Sequence, residues 1–102
     1  MKLIKCLVDF IEDELEGAEG YAKKAMEIKE EYPEIADVLW MMSNEEMKHM
    51  QNLHTSVTKL ISEYKEEHGD PPAAMEAVYD YLHKKYVNEA KGIKILQDMY
   101  RS

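Results

Sequence analysis

The stretch "EEYPEIA", residues 30–36, decides how this chain folds because its proline divides a long helical pattern. Pro33 disfavours the helical conformation at the residue before it, Tyr32, and is itself suited to the first turn of a new helix. No alternation of apolar and polar residues with a period of two competes with the helical pattern on either side. The stretch therefore predicts an all-α protein in which one helix ends near residue 31 and another begins at Pro33.

A second break, "EEHGDPP" at residues 66–72, divides the rest of the chain. Gly69 can end a helix and Asp70 can cap the next one. Pro71 or Pro72 can then begin it. The two breaks together predict three helices, each about 40–50 Å long, at roughly residues 2–31, 33–67 and 71–100.

Composition excludes several classes of function. The chain has 102 residues, which suits one domain, and a net charge of −8, which opposes binding to nucleic acid or to anionic membranes. Cys6 is the only cysteine, so neither an internal disulfide nor a thiolate-rich metal site is expected. No window approaches 18 apolar residues, so no membrane span is predicted and a cytoplasmic location is expected.

Steps of three and four residues predict which side of each helix faces inward. On the second helix this stripe consists of Ile35, Leu39, Met42, Glu46, His49, Leu53, Ser56 and Leu60. Equivalent stripes on the first and third helices are interrupted by Glu14 and Glu89. Three of the predicted inward residues are therefore carboxylates.

Inward carboxylates need a partner, because an unpaired ionised carboxylate is costly to bury. The only arginine is Arg101, at the end of the sequence, and the lysines fall on the outer faces. Glu46 and His49 lie one turn apart, at about 5–6 Å between their Cβ atoms. Carboxylate oxygens with an imidazole nitrogen suit iron, and manganese or zinc as alternatives.

Two motifs resemble the ferritin-like superfamily, most closely rubrerythrin-type proteins and short encapsulated ferritins. The first is "ELEGAEGYAKKA" and the second is "PEIADVLWMMSNEEMKH", and together the resemblance covers about residues 7–60. Glu14 and Glu46 lie 32 residues apart, close to the family's separation. The resemblance implies that Glu14, Glu46 and His49 are iron ligands, with Tyr21 beside them.

The same resemblance implies the fold and the activity. It implies a single ferritin-like helical domain over residues 1–102, built as an antiparallel helical hairpin plus a third helix. It also implies two irons per site that react with oxygen or peroxide, as in a ferroxidase or a peroxidase-like oxidoreductase. This chain has one Glu-x-x-His motif, which is half of the ligand set of a four-helix di-iron bundle.

The missing half has two candidate sources. A homodimer, or a higher homo-oligomer, would complete the four-helix bundle by pairing the hairpins of two chains, and this is the interpretation that we favour. The alternative is Glu89 of the third helix, which would enter the site of its own chain as a fourth ligand.

Other interpretations of the same residues stay open. Ser43-x-x-Glu46 matches a capping box, in which Glu46 would only start a helix. His54 is expected to flank the stripe, with outer metal binding as an alternative, and His83 is interpreted as solvated. For the whole chain, the alternatives are a metal-free helical interaction or oligomerisation module and a protein whose metal is structural, for instance zinc.

Overall fold

A computed structural model describes residues 2–102 and consists of three long helices, α1 (Lys2–Ile28), α2 (Pro33–His68) and α3 (Ala73–Arg101). No strand occurs in this part of the chain, so the predicted all-α class is confirmed. The molecule is elongated, with extents of 56 × 18 × 17 Å. The helix bounds differ from the predicted ones by at most three residues.

The two breaks act largely as their residue types predict. Tyr32, with φ −131° and ψ 64°, lies outside the helical region, and Pro33 occupies the first turn of α2. Gly69 ends α2 with a φ of 77°, which favours glycine, and its N–H donates to the Lys65 carbonyl. The prediction that Asp70 caps α3 is wrong, because Pro72 occupies the cap position and no side chain bonds there.

Short connections make α2 antiparallel to both α1 and α3. The end of α3 therefore returns to the turn between α1 and α2. There, Lys29 Nζ donates to the Tyr100 carbonyl over 2.6 Å, and the Tyr100 hydroxyl donates to the Asp37 carboxylate. Helix α1 packs against both of the other helices, while α2 and α3 contact each other less extensively.

The core is built on a seam of small residues. In α2 the buried positions recur every seven residues, at Ala36, Ser43, Met50 and Val57. The buried positions of α1 include three alanines, Ala18, Ala22 and Ala25, and small side chains let two helix backbones approach closely. Larger side chains fill the space towards α3, and burying each of them fully is worth about 1.5–3 kcal/mol. The largest fully buried apolar side chains are Ile11, Leu15, Val57 and Ile93.

The predicted inward stripe of α2 is wrong by one residue. Ile35, His49 and Ser56 are exposed, while their following neighbours Ala36, Met50 and Val57 are buried. The physical reason is that α2 contacts both α1 and α3, which rotates its buried seam away from the larger apolar residues. Several of those residues consequently remain on a side of the hairpin that α3 does not cover.

Between residues 2 and 102, none of the helices is both long enough and apolar enough to span a membrane.

Candidate metal centre

The structure brings together Glu14, Glu46 and His49, the three residues whose shared helical phase predicts proximity. One potential ligand atom from each lies within 4.8 Å of the other two. Glu14 comes from the middle of α1, and Glu46 and His49 lie one turn apart on α2. Among the described residues, this is the one group of three or more potential metal ligands at such distances.

Gly17 makes room for the Glu46 side chain. A Cβ atom built on Gly17 would lie 3.1 Å from Glu46 Oε2, which is tighter than an ordinary contact. Sequence reasoning missed this residue, although a signal existed. A glycine inside a helix costs about 1 kcal/mol relative to alanine, so its presence one turn after Glu14 indicates a close approach.

The two carboxyls lack an adequate partner within the chain. With both carboxyls ionised, Glu14 Oε2 is buried and accepts no hydrogen bond within residues 2–102, and only a protonated Glu46 would donate to the Glu14 carboxyl. The nearest basic atom, His49 Nδ1, is 3.4 Å away, and the His49 side chain is 57% exposed. The group therefore contains an oxygen that is removed from water and lacks a donor, which is rare in folded proteins.

The pKa of Glu46 reflects the same crowding. It is raised, chiefly by hydrogen bonding between the Glu46 and Glu14 carboxyls, then by burial and by repulsion from the Glu14 charge. His49 acts in the opposite direction and lowers it. Two carboxyls in contact favour a bound proton or a bound cation between them.

The group lies on the side of the hairpin that faces away from α3. Successive residues of a helix are rotated by about 100° around its axis. Seen along α2, Trp40 and His54 lie to one side of the buried Ser43, and both contact α3. Glu46 lies to the other side of Ser43. On α1, Glu12 accepts a hydrogen bond from Tyr86 of α3. Because Glu14 is two residues further on, it lies about 200° around the helix from Glu12. We call the side that carries Glu14, Glu46 and His49 the open face.

Two other predicted site residues lie outside this group. Tyr21 is half-buried on α1, two turns beyond Glu14, and no hydrogen bond joins it to the three within residues 2–102. Glu89 is half-buried on α3, where its charge contributes to the raised pKa of Tyr86. The roles given to Tyr21 and Glu89 at a metal site stay predictions.

Ser43 has a structural role that excludes the capping box. Helix α2 begins at Pro33 and continues without a break through residue 43. The Ser43 hydroxyl donates to the Ala18 carbonyl at 2.6 Å, so it ties α2 to α1 instead of starting a helix. Glu46 consequently has no capping role.

Comparison of the chain with models of protein families, with curated proteins and with solved structures gives no match.

Proposed function

We propose that this chain is a ferritin-like di-iron carboxylate protein that oxidises iron(II) or reduces a peroxide. The observation that carries the proposal is the buried Glu14 Oε2 atom, which has no hydrogen-bond donor and lies beside Glu46 and His49. A metal ion would supply the positive charge that this oxygen lacks.

Within residues 2–102, no lysine or arginine side chain supplies this positive charge to Glu14 or Glu46. Neither carboxylate forms an ion pair with a lysine or arginine in that part of the chain, and His49 is the only ion-pair partner of Glu14 there. Two carboxylates and one imidazole suit iron and manganese, and zinc accepts the same donors. The residues present therefore fit a transition metal, and Glu14, Glu46 and His49 would hold it.

We further propose that a second copy of the chain completes the site. Exposed apolar side chains lie along the same helix sides as the ligand group: Phe10 (49% exposed) is one turn before Glu14, and Val38 (54%) and Ile35 (55%) are two and three turns before Glu46. Pairing two open faces about a two-fold axis would cover these side chains and bring together four glutamates and two histidines. That set is the one expected of a di-iron four-helix bundle, with a glutamate from two helices and Glu-x-x-His from two others.

Each residue has a distinct role in this proposal. Glu14, Glu46 and His49 of two chains would hold the irons, which would supply the electrons for the reduction of dioxygen or peroxide. The Glu14 and Glu46 carboxylates would bind the cations and balance their charge, while the His49 imidazole would donate a nitrogen lone pair. Covering the open face with a second chain excludes water from the buried carboxyl oxygens and strengthens their electrostatic attraction for cations.

Iron oxidation tests the function directly. Iron(II) is added to the metal-free protein under argon, oxygen or hydrogen peroxide is then admitted, and ferric absorbance is followed. We expect oxidation well above the protein-free rate, and loss of that excess in Glu46→Ala. Equal rates with and without protein would contradict an iron-oxidising role. If Glu14→Leu also proved neutral or stabilising in metal-loaded protein, the chain would be a metal-free interaction module instead.

A further inference from the structure

A pair of histidines lies on the side of the hairpin away from Glu14, Glu46 and His49. His54 of α2 and His83 of α3 face each other, with Nε2 of His54 3.2 Å from Nδ1 of His83. The two rings stack with centroids 5.1 Å apart and an interplanar angle of 29°. The pair joins the two helices that contact each other least.

We propose that His54 and His83 together bind a divalent late transition ion, of which Zn²⁺ is the representative. Zinc binds imidazole nitrogens at about 2.0–2.1 Å, so two adjacent ligands on one ion lie about 3 Å apart. The observed separation of 3.2 Å falls in that range, so the two nitrogens can reach one ion after the rings rotate, with little movement of the helices. Imidazole is a preferred ligand of zinc, copper and nickel.

The surroundings of the pair favour a metal over a proton. No carboxylate accepts a hydrogen bond from either ring within residues 2–102, and His54 has no ion-pair partner there. The pKa of His54 is lowered, chiefly by burial and then by the neighbouring His83. The His54 ring is therefore neutral near pH 7, which leaves a nitrogen lone pair available.

Packing holds one ring in place. Tyr79, one turn before His83 on α3, stacks against its ring with centroids 6.0 Å apart and an interplanar angle of 25°. His54 is half-buried on α2. A fixed imidazole loses less conformational entropy when it binds an ion, which favours binding at this position.

Two protein ligands make an open and exchangeable site. Structural zinc sites have four protein ligands and catalytic sites have three, so this ion would complete its coordination with water. Bound there, it would clip α3 to α2 and stabilise the three-helix arrangement by mass action. The inference does not depend on the proposed iron site, because it uses other residues on the other side of α2.

Nuclear magnetic resonance of the imidazole nitrogens tests the proposal residue by residue. Zn²⁺ is added to the metal-free ¹⁵N-labelled protein, and long-range ¹H–¹⁵N spectra follow all four histidines. We expect His54 Nε2 and His83 Nδ1 to shift together along one binding curve, separately from any change at His49. If neither ring responded to Zn²⁺, the two histidines would be only a hydrogen-bonded pair and the proposal would be overturned. A response of one ring alone would overturn it as well.

Matched variants give a second measurement. His54→Ala and His83→Ala should each weaken this binding event at least tenfold in titration calorimetry. His68→Ala is the control, because His68 is also on α2 but is exposed and lies beside Glu67. A loss of the event in His68→Ala, or its survival in His83→Ala, would count against the pair. If a variant failed to fold, the spectra of the unaltered chain would still decide.

Discussion

The two sides of the α1–α2 hairpin differ in whether their buried polar groups have hydrogen-bond partners. On the side that faces α3, the Ser43 hydroxyl donates to the Ala18 carbonyl and accepts from Gln97 Nε2 at 2.8 Å. The Trp40 indole donates to the Gln97 carbonyl at 3.0 Å. Each of these groups has a partner within the chain, so this side is complete by itself.

On the open face, the buried polar groups are not all paired in this way. Glu14 Oε2 is buried without a donor within residues 2–102, and the neighbouring Glu46 has a raised pKa. Helix packing alone therefore accounts for Ser43, Trp40 and Gln97 on the α3 side but not for Glu14 and Glu46 on the open face. In our proposal, a cation held by Glu14, Glu46 and His49 would complete the open face, and its exposed apolar side chains suit a second chain.

The largest expected effect is the loss of metal binding in Glu46→Gln. Removal of one ligand should weaken iron(II) binding more than about 100-fold, because changes that only touch a ligand's neighbour already cost 10–100-fold. Glu45→Gln is the matched control, since Glu45 is an exposed neighbour in the same helix. If Glu46→Gln and Glu45→Gln bound iron(II) equally well in anaerobic titrations, the open face would not be a metal site.

The same variant should not destabilise the metal-free protein. Because the folded-state pKa of Glu46 is raised above 4.5, the folded chain binds a proton more tightly than the unfolded chain. Stability from this group is present below pH 4.5 and is lost as pH rises through the folded pKa. Glu46→Gln should therefore lose more stability than the unaltered chain as the pH falls towards 4.5 in chemical denaturation, because it lacks the stability that protonation of Glu46 restores. An equal or smaller loss in the variant would contradict this expectation.

At Ser43, on the α3 side, the expected effect falls on stability and not on iron binding. Ser43→Ala would leave the Gln97 amide and the Ala18 carbonyl without their buried partner, at a cost of about 1–3 kcal/mol. Urea denaturation of the metal-free protein would measure this loss, and iron binding should stay unchanged. A large loss of iron binding with intact stability would show that the two sides are not independent.

A smaller effect is expected where the backbone of α1 lies against Glu46. Gly17→Ala should displace the Glu46 carboxylate by a few tenths of an ångström and weaken iron binding several-fold. Gly20→Ala is the control, because a Cβ there would meet nothing within 4 Å. The control should gain about 0.5–1 kcal/mol of stability from helix propensity with unchanged metal affinity. Identical metal affinities in calorimetric titrations of the two variants would show that Gly17 does not position Glu46.

The smallest effect concerns Tyr100, on the side of α3. Burial, with the hydrogen bond to Asp37, raises its pKa to about 12 from 10.0. A raised pKa means that the folded chain keeps the proton, so this stability is present below pH 10 and is lost between about pH 10 and 12. In denaturation curves across that range, Tyr100→Phe should lose less stability than the unaltered chain. Tyr81→Phe, at an exposed position, should not differ from it.

Helix positions could be predicted from sequence because they depend on local chemistry. Pro33 and Gly69 act through their own backbone preferences, which no tertiary contact needs to supply. Glu46 and His49 lie on the same side of one helix for the same local reason, but the position of Glu14 against them depends on how α1 packs on α2. Whether these three residues bind iron stays a prediction, and so does the ferritin-like relationship.

The phase of α2 could not be predicted, because two candidate seams run along it. The large apolar residues Ile35, Leu39 and Met42 are in phase with Glu46, while the seven-residue seam that begins at Ala36 and Ser43 is one residue later. Which of the two seams is buried depends on how α1 and α3 pack against α2, and those are long-range tertiary contacts. Gly17 was missed for a similar reason, since its close neighbour comes from another helix.

We propose that the open face is half of a di-iron site that a second copy of the chain completes. Native mass spectrometry of protein loaded with iron(II) under argon tests it most directly, since it gives the number of chains and of irons in one measurement. We expect a dimer that carries two irons, and no bound iron in Glu46→Gln. A monomer that retains no iron, or one that retains two irons by itself, would contradict the proposal.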